Sequence, residues 1–411
     1  MKKAIYICLC ALTALSAAAA RPRAKAKAAD VAALQEKAEE ALMMYDCDAL
    51  SEAIEKWNDA LKRNAEKPER LAQLERKQIA LDNMLQRVEQ IVILDSLSAD
   101  AADFFKHYRL SADAGRIAGT GSTTNGMPLT SFTTAGGGEI FYTVADTSGH
   151  LAVMRADILD DGTRDHAVDT GIGPADSDSA FPFMMADGMT LYFASDADTD
   201  ASLGGYDIYR TSRDDEGNFL EATNLGMPYN SPANDYMLAI DETSGAGWWA
   251  TDRNAEDGKV TIYIFVPNAS RINYDPTLEN ITDLAFITSV AETRPADCDV
   301  EARLRAIDEA ATATDDNDTA KAPFMLSLGD GRIYTSYADF RNDRARRAMH
   351  GVVDLQRVVD AYKNQLDKLR KRYASGERGA GARIEQLDSE LAQKSAELLT
   401  KRNTVIKLER N

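Results

Sequence analysis

Asp196, Asp198 and Asp200 alternate with small residues, and Asp207 follows eleven positions after the first of them. Counted from Asp196, carboxylates stand at positions one, three, five and twelve, the places where a calcium loop wants acidic oxygens. Position six is Ala201, not the glycine of a sharp calcium turn, and Asp207 reaches less far than a bidentate glutamate. Two readings follow. The four aspartates hold calcium, or they cap turns by accepting neighbouring backbone N–H groups. The second asks less of the sequence. No other cofactor is implied.

Catalysis finds little material. The histidines are His107, His150, His166 and His350, with no pair at metal-ligand helical spacing. There is no Gly-x-Ser-x-Gly elbow and no local Cys–His signature. Gly119-Thr-Gly-Ser-Thr123 has the look of a phosphate loop without its spacing or lysine, and reads as a turn. The chain is therefore expected not to be an enzyme. Aromatic residues offer the other chemistry. Trp248 and Trp249 are adjacent, so on a strand they face opposite ways. One belongs to the core; the other packs on a second core face, or joins Tyr229 and Tyr236 in a surface for a sugar or peptide. Tyr192, Tyr206 and Trp248 would line such a pocket.

The elements that position these residues are legible in the alternation of apolar runs. Ile140–Asp146, Leu191–Asp196 and Gly247–Asp252 each read as a strand ending on aspartate, with Tyr142, Phe193 and Trp249 in equivalent places. The aspartates are 50 and 56 residues apart, a blade-like period. Partner strands follow at His150–Asp157, Gly205–Thr211 and Val260–Val266, and the segments Asp176–Asp187 and Asn230–Asp241 recur between runs. A further pair, Phe324–Leu328 and Arg332–Tyr337, either resumes this array or closes it. Before the array, Leu34, Ala38, Ala41 and Leu42, then Ala53, Trp57, Ala60 and Leu61, have helical spacing, with Asp48 as N-cap of the second helix. A third helix is expected from Pro68 to about Leu94. After the array, Leu355, Val359, Tyr362, Leu366, Leu369 and Tyr373 alternate by four and three. Ile384, Leu387, Leu391, Leu398, Val405 and Leu408 continue the seam, with Lys394 and Lys401 on it. Glycines in Ala374–Ala382 break the two arms, which favours a hairpin folded on itself over a dimerising helix. Self-association through this hairpin is the alternative.

The expected fold class is thus multidomain α and β: a helical unit over 21–100, a propeller-like array of antiparallel blades over 101–345, and a coiled-coil helical hairpin over 346–411. A partly helical insertion falls at about 268–322. Residues 1–20 read as a secretory signal peptide, and no later run is long and apolar enough to span a membrane. Cys47 and Cys298 would remain, too few for a disulfide framework. The formal net charge is −19, yet residues 341–411 hold seventeen Lys/Arg against ten Asp/Glu, a net of +7. An acidic body argues against nucleic acid as a partner. The basic tail would dock an acidic partner, anionic lipid or its own body.

Leu191–Asp196, Gly204–Tyr209, Asn224–Ser231 and Thr251–Arg253 together resemble, in order, the WD40-like β-propeller repeat of Tol-type envelope proteins. Ala41, Ala53, Trp57 and Ala60 are similar to the small and aromatic positions of a tetratricopeptide unit, with Met44 where that family has tyrosine. The resemblance implies a non-enzymatic scaffold of the Gram-negative envelope, periplasmic or associated with the outer membrane, whose partners are other envelope proteins. The peptidoglycan-binding domain that follows in many such proteins has no counterpart here. The alternative is a propeller that binds a glycan or peptide at its pseudo-axis, with or without calcium.

Overall fold

The computed structural model describes residues 22–61, 67–124, 126–158, 163–164, 167–174, 176–214, 217–312, 324, 326–328, 332–374 and 378–410. The expected signal peptide, His166 and residues 313–323 of the expected insertion lie outside them.

Three helices open the chain: α1 (Pro22–Met43), α2 (Cys47–Ala60) and α3 (Glu69–Leu85). The break between the first two is made by Tyr45, left-handed at φ 57°, and by Asp46, whose carboxylate accepts the Ala49 N–H at 2.9 Å. Asp46, not Asp48, is therefore the N-cap: an aspartate one residue outside the helix has a non-helical backbone, φ −85° and ψ 88°, that lets its side chain turn back. Leu42, Leu50, Ile54, Trp57, Leu71, Leu74 and Leu81 form the core of this unit. The third helix ends at Leu85, well short of Leu94. Ile91, Ile93 and Leu94 belong instead to, or just precede, strand β1 (Val92–Asp100), so the sheet region begins ahead of the boundary read from the change of period.

The strands β2 (Arg116–Thr124), β3 (Met127–Thr133), β4 (Glu139–Ala145), β5 (Leu151–Asp157) and β6 (Val168–Asp169) make one antiparallel sheet in sequence order. A second holds β7 (Ser179–Met184), β8 (Thr190–Ser195), β9 (Asp207–Ser212) and β10 (Thr223–Asn224). The third has the order β1-β13-β12-β11, with β11 (Asp235–Asp241), β12 (Ala246–Thr251) and β13 (Lys259–Val266). The strands fall within about two residues of where alternation placed them. Gly119–Thr123 was expected as a turn; it is instead part of the exposed edge strand β2, where the pairing register slips between Gly119 and Thr123.

The three sheets share one core. Strand β7 packs on β3, β4 and β5, and β11 packs on β7, β8 and β9. A 3-10 segment, Ala101–His107, touches β1, β2, β3 and β13 and sets Phe104 between the first and third sheets. Phe104, Phe181, Tyr206 and Tyr236 cluster at centroid distances of 5.5–6.3 Å: Phe181 meets the other three edge to face, the arrangement that aromatic quadrupoles favour, and Tyr236 lies tilted against Phe104 and Tyr206. Gly247 is required where it stands, because a Cβ there would lie 2.5 Å from the Phe265 ring.

Matching hydrogen bonds tie successive sheets at a 56-residue offset. Asp196 accepts the Asp178 N–H at 2.7 Å, and Asp252 accepts the Asn234 N–H at 2.8 Å. Asp178 in turn accepts Leu151 N–H, and Asn234 accepts Tyr206 N–H, from the preceding sheet. The aspartates ending the second and third strand runs thus hold the chain that enters their sheet, whereas Asp146, ending the first, accepts Ser148 and His150 N–H within its own turn.

After β13 come α4 (Ile281–Phe286) and α5 (Val300–Thr312), inside the expected insertion. The last strand pair is only β14 (Leu326–Ser327) with β15 (Ile333–Tyr334). It joins none of the three sheets. Leu326, Leu328, Tyr334 and Phe340 pack instead with Met349, Val352, Val353 and Val405 of the closing helices α6 (Asp343–Ala374) and α7 (Gly381–Arg410). These helices run antiparallel: Leu366 packs with Leu387 and Leu391, Arg370 pairs with Asp388 at 2.7 Å, and Val353 meets Val405. Lys394 and Lys401 do not bury their charge; both reach Glu397 at the surface, at 2.7 and 3.0 Å. The basic helices also dock on their own body. Lys363 pairs with Asp157 at 3.0 Å, and Arg402 donates to the Ala186 carbonyl at 3.1 Å.

Candidate functional site

The carboxylates of the calcium reading do not converge. Asp196 is taken by the Asp178 N–H, Asp198 pairs with Arg76 of α3 at 3.0 Å, and Asp200 is exposed. Asp207 is fully buried under the second sheet, where Asn224 Nδ2 donates to it at 2.9 Å. Burial, with Asp235 nearby, pushes its carboxyl well above the ordinary range. A neutral Asp207 is a poor ligand for a hard cation. Among the described residues, no group of three or more His, Cys, Asp or Glu side chains is placed to hold a metal. The two halves of the run part because strand β9 carries Asp207 inward while Asp198 and Asp200 ride the preceding loop outward.

The aromatic surface is also divided. Trp248 is fully buried in the core shared by the sheets, tilted against Tyr108, and Trp249 is equally buried on the opposite face with Tyr229, Tyr263 and Phe265. Adjacent strand residues do point opposite ways, but both faces of β12 are covered. Tyr206 and Tyr236 are buried too; their hydroxyls donate to Asp178 and Asp252 at 2.8 and 3.0 Å. Their rings and that of Trp248 belong to the core shared by the sheets and line no cleft. Of the five aromatics, only Tyr192 and Tyr229 reach open space.

That space is a cleft of about 710 Å³ between the end of α3, the second sheet and the third, a volume within the ~300–1,000 Å³ of typical ligand sites. Met185 and Tyr192 from the second sheet, and Leu238, Ile240 and Val266 from the third, give it an apolar floor. Tyr192 lies directly opposite Arg210 across β8–β9, so both side chains project from the same face. Burial pushes the Tyr192 hydroxyl up to about 12 although the Arg210 guanidinium pulls it down, so the phenol stays neutral and able to donate at pH 7.

The cleft is held open by one arginine. Arg271 donates to the Leu225 carbonyl at 2.8 Å and to Asn273 at 2.9 Å, pairs with Glu89 at 3.2 Å, and also donates to the Arg87 carbonyl. Glu89, itself buried, accepts Asn268 Nδ2 at 3.1 Å. The end of α3, the loop after β10 and the segment after β13 are thereby fixed to one another without filling the cavity. Asp187 is committed as well: it accepts Met189 N–H, Thr190 N–H and the Thr190 hydroxyl at 2.7–3.0 Å. Arg87, Arg210 and Arg303 stand on the rim exposed, with no side-chain hydrogen bond or ion pair among the described residues. Sequence reasoning missed all of these arginines. They lie on four separate elements between residues 87 and 303, and no local spacing marks them.

No family model matches this chain, and no curated protein or solved structure is significantly similar to it.

Proposed function

We propose that this protein is an exported, non-enzymatic docking protein of the Gram-negative envelope. On this reading the three antiparallel sheets are the blades of a WD40-like array, α1–α3 are a tetratricopeptide-like unit fastened to it, and α6–α7 are a coiled-coil hairpin. The repeated Asp196 and Asp252 hydrogen bonds, 56 residues apart, support the repeat. The antiparallel seam around Leu366 and Leu387 supports the hairpin.

One observation carries the docking role: the cleft walled by Tyr192, Tyr229 and Arg210, which has an apolar floor and a polar rim. Such a site suits an extended segment of a partner protein, with apolar side chains entering the floor and the backbone held at the rim. Tyr192 also favours a second reading, a glycan stacked on its ring. Residue-specific crosslinking in intact cells, followed by mass spectrometry, tests the proposal. It expects an envelope protein linked through residues that rim the cleft. Links confined to α6–α7, or to copies of this chain, would overturn it.

A further inference from the structure

The closing helices carry more positive charge than their docking on the body uses. Lys363 and Arg402 are spent on the sheets. The end of the hairpin where α6 begins and α7 finishes is a separate basic pole: residues 324–350 and 401–411 hold nine Lys/Arg against four Asp/Glu, a net of +5 in a chain of −19. Three of the four acids are already committed. Glu409 accepts the Arg341 and Asn342 N–H groups at 2.7 and 3.1 Å and the Tyr334 hydroxyl at 3.1 Å. Asp339 accepts the Thr335 and Ser336 N–H groups at 2.9 and 2.8 Å, and Asp343 pairs with Arg346 at 2.8 Å. The fourth, Asp330, lies outside the described residues. Arg341, Arg344, Arg347 and Lys407 are exposed, and none makes a side-chain hydrogen bond or ion pair among the described residues. Ala345, Met349 and Val352 turn inward toward Val405, so helical spacing points Arg344 and Arg347 away from that core. Asn342 donates to the Leu408 carbonyl at 2.7 Å and so keeps the end of α7, with Lys407, beside the start of α6. One turn on, His350 stacks on Tyr337 at 3.9 Å, and Phe324 meets Tyr337 edge-on at 4.9 Å.

We propose that this end of the hairpin docks on an anionic lipid surface, with the four cations among the phosphate headgroups and the Tyr337–His350 pair at the interface. Guanidinium matches phosphate oxygens, and aromatic rings with a polar tip suit the boundary between headgroup and water. The cations are spread along the outer face of a helix rather than gathered on one point, which fits a sheet of headgroups better than a single bound anion. The acidic remainder of the chain is repelled by such a surface. Screening over ~8 Å at physiological salt confines that repulsion to groups close to the lipid, so the chain stands end-on with its body away from the membrane. This face is independent of the cleft and adds a second docking surface to the protein.

The test uses the full chain and vesicles of phosphatidylcholine with or without phosphatidylglycerol, read by flotation. Vesicles with about one third anionic lipid should bind the chain at least about tenfold more tightly than neutral ones. Binding should fall as salt rises from ~0.05 to ~0.5 M, because screening shortens the reach of the cations. A basic residue near such a surface strengthens binding about fivefold, so Arg344→Gln combined with Arg347→Gln should weaken it about 25-fold. Arg357→Gln, nearly three turns further along α6 and paired with Asp354, should stay within about twofold of the parent. Lys25→Gln with Lys27→Gln, in the basic stretch 21–27, should do the same. The three arginines are exposed, so urea unfolding should show their variants as stable as the parent. Equal binding to neutral and anionic vesicles, or anionic binding that the Arg344 and Arg347 changes leave intact, would overturn the proposal. Full displacement by polyglutamate, at a carboxylate concentration equal to that of the lipid phosphate, would overturn the lipid surface in favour of an acidic protein.

Discussion

Glu139 offers the sharpest test of how the sheets and the closing helices are joined. It stands directly opposite Asp157 across β4–β5, a like-charge pair that would destabilise the sheet unaided. Arg155 binds Glu139 at 2.7 Å, Arg213 of the second sheet binds it at 3.1 Å, and Lys363 of α6 neutralises Asp157. The Arg213 guanidinium also lies over the Phe141 and Phe219 rings, which confines it. Burial alone would raise the Glu139 carboxyl, but Arg213 and Arg155 outweigh it and hold the group down to about 2. A fall from the ordinary ~4.3 to about 2 is worth ~3 kcal/mol. Because the folded value is the lower one, the unfolded chain binds the extra proton. The stabilisation is therefore complete above pH ~4.3 and disappears as pH falls toward 2. Glu139→Gln should unfold in urea with ~3 kcal/mol less stability at pH 7, a midpoint lower by ~1 M for a slope near 3 kcal/mol/M. The gap between variant and parent should close progressively between pH 4.5 and 2. A gap that stays constant across that range, or no gap at pH 7, would refute the electrostatic account of this junction.

Arg253→Met should cost ~3–5 kcal/mol in urea unfolding, because it strands Asp235, fully buried and 2.7 Å from the lost guanidinium; adding Asp235→Leu should restore much of the loss. Trp248→Ala should destabilise the chain by ~3–5 kcal/mol in urea unfolding, because it empties the core that the sheets share. The melting temperature in 1 mM calcium should equal that in chelator; a calcium site half-saturated near 10 µM would instead add ~2.7 kcal/mol.

The strands were legible because their alternation is local and their turns are marked by Gly, Asn and Asp. The pairing of Trp248 and Trp249 was legible only in part. Alternation says they face opposite ways, but not that a second hydrophobic layer, with Ile91, Ile93 and Ile287, covers the outer one. Strand β1 escaped because Ile91–Leu94 continues the helical spacing of α3; its pairing with β13, about 160 residues away, is what makes it a strand. The calcium pattern misled for a related reason. Positions one to twelve of a loop are a local count, and they say nothing of the turn at Gly204–Gly205 that sends Asp207 into the core. The aromatic residues chosen for a ligand are those that a three-sheet core most needs at its centre. The cleft itself has no local signature, since it is built by Arg271 reaching across segments that the sequence keeps far apart.

The docking role is tested most directly by placing a photo-reactive amino acid at Asn83, Asp200 or Arg303 on the cleft rim, and at Arg357 on α6 as a control, in living cells. The cleft account predicts an ultraviolet-dependent adduct with the same envelope protein from the rim positions, and none from Arg357. Adducts from Arg357 alone, with the rim positions silent, would contradict it.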